Sequence, residues 1–100
     1  MTHIPAELLH ALPKTDLHLH LDGSLRLLSI LDLAGEQGIR LPADQPADLA
    51  RLVCMGDGER SLEHYLKAFD ITLAVLQEKE AVERAASELA VDCAAEHVRY

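Results

Sequence analysis

The stretch LPKTDLHLHLDGSLR, residues 12–26, decides the fold in its middle. From residue 15 to residue 21, polar and apolar side chains alternate. Leu17, Leu19 and Leu21 fall on one side, and Asp16, His18, His20 and Asp22 on the other. A period of two is that of a β-strand. Asp22-Gly23 is a turn signal, and Ser24 has the side chain of a helix N-cap. Leu27, Leu28, Leu31 and Ala34 then repeat at helical spacing. They predict a helix over residues 25–37, weakened at Gly35 and closed by Gly38. Strand, tight turn and helix make half of a βαβ unit.

The rest of the chain extends that pattern in both directions. Residues 5–12 predict a short helix with Pro5 in its first turn and Leu8, Leu9 and Leu12 on one apolar face, stopped by Pro13. Residues 41–46 read as a loop with two prolines, 47–53 as a short helix, and 55–60 as a turn-rich loop around Gly56, Asp57 and Gly58. Ser61 caps the next helix, and Leu62, Tyr65, Leu66, Phe69, Leu73 and Leu76 mark its apolar stripe. A last helix spans residues 81–96, with Val82, Ala85, Ala86, Leu89, Ala90 and Cys93 expected to face inward. Residues 98–100 look like the opening of a second strand. One strand followed by several helices leaves its backbone without a partner, and no internal repeat supplies one. The expectation is an α/β fold in which residues 1–100 are the N-terminal segment of a longer single domain. This segment is mostly helical, with a first strand carrying His-x-His.

Composition bounds the partners. The 100 residues carry nine basic against seventeen acidic side chains, a formal net charge of −8. Nucleic-acid backbones and anionic membranes demand clustered Lys and Arg, so neither is expected as the partner. A small ligand without phosphate is not excluded. Cys54 and Cys93 lie far apart, with no CxxC and no disulfide framework. The first dozen residues lack the basic and apolar regions of a signal peptide, and no apolar run approaches a membrane span. A reducing cytoplasm is the expected compartment.

His18 and His20 stand at i and i+2. On a strand they point the same way, about 6.5 to 7 Å apart, and two such imidazoles can converge on one metal. Leu19 would pack on the opposite face and anchor the strand. Alternation also produces an ordinary solvated face, so both readings of the spacing stand. Two ligands do not complete a zinc site, and His3, His10, His64 and His97 read as surface positions.

The stretch resembles the opening motif of the adenosine deaminase family, within the amidohydrolase superfamily. Those sequences begin with Leu-Pro-Lys, then an acidic residue, then HxHLDG or HxHLEG. SLEHYLKAFD, residues 61–70, resembles the family's helical segment beside the substrate pocket. Residues up to Glu96, followed by Val98, Arg99 and Tyr100, resemble the approach to its second strand. The resemblance implies the N-terminal part of a TIM-like (β/α)8 barrel with zinc at the C-terminal mouth of the strands. It implies His18 and His20 as two zinc ligands, and Asp22 as the residue that binds a ribose hydroxyl. Gly23 permits the turn, and His20, Asp22 and Gly23 belong to the substrate side. Leu62, Tyr65 and Phe69 form an apolar pocket wall, although the stripe they occupy is also what plain helix packing produces.

The activity so implied is zinc-dependent hydrolytic deamination of adenosine by the whole enzyme, with a purine nucleoside as the small-molecule partner. The remaining ligands and the catalytic acid are expected beyond Tyr100, so no catalytic residue is assigned within these 100 residues. Zinc against iron is not decided by two imidazoles. Asp22, where adenine deaminases of the family carry Glu, favours a nucleoside. Adenine or aminodeoxyfutalosine as substrate and a non-catalytic helical fragment are the alternatives. The H-x-E and P-C-x-x-C signature of cytidine-type deaminases is missing. The acidic balance disfavours a nucleotide phosphate.

Overall fold

A computed structural model describes residues 3–54 and 61–100, so the turn-rich loop expected at residues 55–60 lies outside the described residues. Five α-helices follow one another: α1 (Ala6–Ala11), α2 (Leu27–Gln37), α3 (Pro46–Val53), α4 (Leu62–Val75) and α5 (Lys79–Ala95). A single 3₁₀ turn, Leu21–Gly23, precedes α2.

The helix ends follow local chemistry. Ser61 accepts a hydrogen bond from the His64 N–H at 3.1 Å and caps α4 as expected. Pro46 opens α3, where its missing N–H costs nothing. Gly38 closes α2 at φ 68°, a left-handed conformation that glycine adopts without steric cost. Ser24 does not cap α2. Its hydroxyl turns back to donate to the His20 carbonyl at 2.7 Å, and Arg26 takes the N-cap position.

The core is apolar and lies among α2, α3 and α4. Ile30, Leu33 and Ala34 of α2 meet Leu49 of α3 and Ile71 and Val75 of α4, with Ala81 closing one side. Gln37 Nε2 donates to the Val75 carbonyl at 2.8 Å and ties the C-terminal ends of α2 and α4 together. The faces differ from those read from periodicity. On α4 the buried residues are Ala68, Ile71, Thr72 and Val75, while Leu66 and Leu73 of the expected stripe stay exposed. On α2, Leu28 is 64% exposed and Ser29 is buried instead.

α5 shows the largest rotation. Of its expected inward set only Ala85 is buried, and Val82, Ala86 and Ala90 are exposed. The side turned to α2 is charged. Arg26 makes a bidentate pair with Asp92, donating from Nε at 3.0 and 3.1 Å and from Nη2 at 2.7 Å. Ser29 donates to Glu88. Arg84 donates to Asp32 at 2.9 Å and to Glu88 at 3.2 Å. These bonds hold Glu88 and Asp92 below their ordinary carboxylate values: Glu88 through Ser29 and then Arg84, Asp92 through Arg26.

The expected first strand is not a strand among the described residues. Backbone pairing there is one parallel bridge, Lys14 to Val98. The Lys14 N–H donates to the His97 carbonyl at 2.8 Å, the Arg99 N–H to the Lys14 carbonyl at 2.7 Å, and the Asp16 N–H to the Tyr100 carbonyl at 2.8 Å. Residues 98–100 thus do meet the His-bearing segment, in parallel, with the helices as the crossover between them. Residues 15–20 find no regular ladder to join, and their apolar side has nothing to pack on. Leu17 is 82% exposed, and Leu19, expected to anchor the strand, is exposed as well.

Candidate metal and substrate site

The site begins where the alternating segment ends. His18 and His20 turn to one side, and their Nε2 atoms meet at 2.9 Å, with ring centroids 4.8 Å apart. The backbone supports this locally: the His18 N–H donates to Asp16 Oδ1 at 3.2 Å, and Ser24 holds the His20 carbonyl. Asp22, on the 3₁₀ turn, places Oδ1 4.0 Å from His20 Nδ1, beyond hydrogen-bond reach but within electrostatic contact.

Both imidazoles, with Asp22 and Gly23, line a cleft of about 470 Å³. The opposite wall is apolar and comes from α4 through Tyr65, Ala68 and Phe69, with Thr72 beside them. Tyr65 and Phe69 pack edge to face with centroids 4.8 Å apart. Phe69 also lies against Gly23, and a methyl group built there would meet its ring at 3.7 Å, an ordinary contact. The backbone of Gly23 is not left-handed, so the turn does not require glycine for its conformation.

The structure therefore gathers His18, His20, Asp22, Gly23, Tyr65 and Phe69 around one cleft. It does not bring Leu62 there: that residue is 70% exposed on the first turn of α4 and is not part of the lining. Sequence reasoning missed Leu27 and Ile30 on α2 and Val53 and Cys54 at the end of α3, all of which line the cleft. Leu27 carried a signal, since it belongs to the helical repeat of α2. Cys54 carried none.

The donor set suits a borderline divalent metal. Two neutral imidazole nitrogens around a tetrahedral zinc at 2.0 to 2.1 Å stand about 3.3 Å apart, and the Nε2 pair is within a few tenths of an ångström of that. Among the described residues, no group of three or more His, Cys, Asp or Glu is placed to hold a metal. Among the described residues, too, no helix is long and apolar enough to cross a membrane.

Comparison with known proteins points the same way. A family model described as adenosine deaminase matches residues 13–100. An adenosine deaminase of Shewanella woodyi is 42% identical over 90 residues, 90% of this chain and 27% of its own length. One of Vibrio atlanticus is 47% identical over the same shares, and one of Clostridium botulinum is 46% identical over 89% of this chain and 27% of its own. The chain thus spans about a quarter of the length of these relatives. The match runs through the histidine pair, the cleft wall and the closing parallel bridge alike, and on it the chain belongs to the adenosine deaminase family.

Proposed function

We propose that the protein carrying this chain deaminates adenosine hydrolytically, giving inosine and ammonia, and that His18 and His20 hold a zinc ion for the reaction. The observation that carries this reading is the convergence of two imidazole Nε2 atoms at the polar side of an apolar cleft, with a carboxylate beside them. A zinc ion there would supply Lewis acidity that brings the pKa of water toward about 7.

The chain's own residues do the rest of what falls to this segment. Asp22 accepts a hydrogen bond from a ribose hydroxyl and so fixes the sugar. Tyr65 and Phe69 offer an apolar face of purine dimensions and keep bulk water from that side of the ring. Gly23 keeps the floor of the cleft low, so the ligand approaches His20 closely. The Lys14–Val98 bridge supports reading this segment as the first parallel pair of a (β/α)8 barrel, in which catalytic groups gather at the C-terminal ends of strands.

The test is made on the whole protein, purified without chelator. It should contain one divalent metal per chain and convert adenosine to inosine, followed by ultraviolet absorbance. His18→Ala should abolish turnover together with metal content. A metal-free, inactive wild type sinks the reading, as does His18→Ala with both intact. Turnover of adenine in place of adenosine would move the assignment to that branch of the family.

A further inference from the structure

Lys14 lies four residues before His18, and its ammonium donates to three backbone carbonyls: Leu9 at 2.7 Å, His10 at 3.0 Å and Leu12 at 3.0 Å. The first two belong to the last turn of α1, whose carbonyls have no partner inside the helix. α1 buries no residue, so these polar contacts take the place of apolar docking. The main chain of Lys14 is the inner half of the parallel bridge, bonded to His97 and Arg99. One residue thus joins α1 to the second β-segment.

His97 completes the arrangement from the other side. Its Nδ1 donates to the same His10 carbonyl at 2.7 Å, and its ring meets the His10 ring edge to face at 5.2 Å. It does so at φ 63°, among the described residues the only non-glycine with positive φ. Val98 N–H to Cys93 O at 2.9 Å completes a helix-closing turn whose left-handed position ordinarily takes glycine. What histidine adds there, against a backbone cost, is the bond to His10.

We propose that Lys14 and His97 form a clamp that sets the register of the first parallel pair, and that both are positioning residues for His18 and His20. A single isolated bridge specifies register weakly. In an alternating segment a slip of one residue turns every side chain to the opposite face, replacing His18 and His20 by Leu17 and Leu19. The consequence for chemistry rests on the metal reading above; the register itself does not.

The experiment compares Lys14→Met and His97→Gly in the whole protein. Amide exchange at Asp16 and Arg99 should quicken about tenfold in each variant, with α2 to α4 unchanged. Chelator competition should show zinc held about tenfold more weakly, the effect usual when outer partners of metal ligands are removed. The kcat for adenosine should fall, and KM should rise with it, because Asp22 lies on the segment whose register is lost, although the apolar wall on α4 stays in place. Lys14→Arg, which keeps charge and donors, should recover part of both. His97→Gly discriminates most sharply. It relaxes the backbone, so a purely structural role predicts equal or slower exchange, whereas the clamp predicts faster exchange. Unchanged protection of Asp16 and Arg99 in either variant overturns the proposal, and so does loss of protection spread equally over α2 to α4. If the wild type holds no zinc, the metal reading fails, and amide exchange still decides the clamp.

Discussion

At the scale of the residue, the histidine pair makes a demand on tautomers. At 2.9 Å one Nε2 must carry a proton and the other a lone pair. A metal held through both Nε2 atoms, as proposed above, needs a lone pair at each. Entry of a metal therefore requires one imidazole to move its proton to Nδ1, and nitrogen NMR of the two rings should show unlike tautomers before zinc and like tautomers after it. Asp22 and Gly23 bear different expectations. Asp22→Ala should raise KM for adenosine at least tenfold if its carboxylate holds the sugar, since a hydrogen bond to a charged group contributes about 1.5 to 3 kcal/mol. Gly23→Ala should leave the urea midpoint unchanged or slightly raised, because the added methyl meets Phe69 at ordinary contact distance and the φ is not left-handed. A large loss of stability would show that the turn does require glycine.

At the scale of the element, capping chemistry was legible in the sequence at Gly38 and Ser61 but not at Ser24, and packing partners were not. Gly38 and Ser61 announce their roles by type and place, because a left-handed C-cap and a hydroxyl N-cap are local demands. Gly38→Ala should cost about 1 kcal/mol, and Ser61→Ala about the same, read as shifts in chemical denaturation midpoint. Leu49 of α3, fully buried, is the strongest lever on the core, and Leu49→Ala should cost about 2 to 5 kcal/mol. The rotation of α5 shows what periodicity leaves out. Val82, Ala86, Leu89 and Cys93 do form a face, yet a period names a face and not its neighbour. The neighbour here is α2, whose Arg26, Ser29 and Asp32 draw Asp92, Glu88 and Arg84 toward them from 52 to 66 positions away in the chain. The first strand failed for a related reason. Alternation shows that residues 15–21 suit a strand, but a strand exists only beside another, and the described residues offer one bridge. Of the site, alternation put His18, His20 and Asp22 on one side, and only the resemblance gave them roles. Tyr65 and Phe69 rested on the resemblance, and the contributions of α2 and α3 depended on long-range packing that no local pattern encodes.

At the scale of the whole molecule, charge and shape both carry consequences. Glu88 and Asp92 titrate below their ordinary values of 4.5 and 3.8 in the folded chain. The unfolded chain therefore binds their protons first as pH falls, so their contribution is full near neutrality and is lost through and below that range. Stability toward urea, followed by helical circular dichroism, should drop as pH falls below about 4.5, and Asp92→Asn should flatten the drop. A flat wild-type profile would mean the seam between α2 and α5 contributes nothing. The radius of gyration, 15.3 Å, exceeds the roughly 13 Å of a compact 100-residue domain. With Leu17, Leu28, Leu62 and Leu66 exposed, the 100-residue chain by itself should bind apolar dyes strongly. The bridge between Lys14 and Val98 also sets an order of events in time. Its partners are 84 positions apart, and closing so long a loop costs on the order of 4 kcal/mol in chain entropy, against about 2 for the loops that join α2, α3 and α4. During refolding, α2, α3 and α4 should assemble first and the bridge should close last. The histidine pair then acquires its final orientation only after the rest of the chain is in place, so helical signal should recover before the Arg99 amide gains protection.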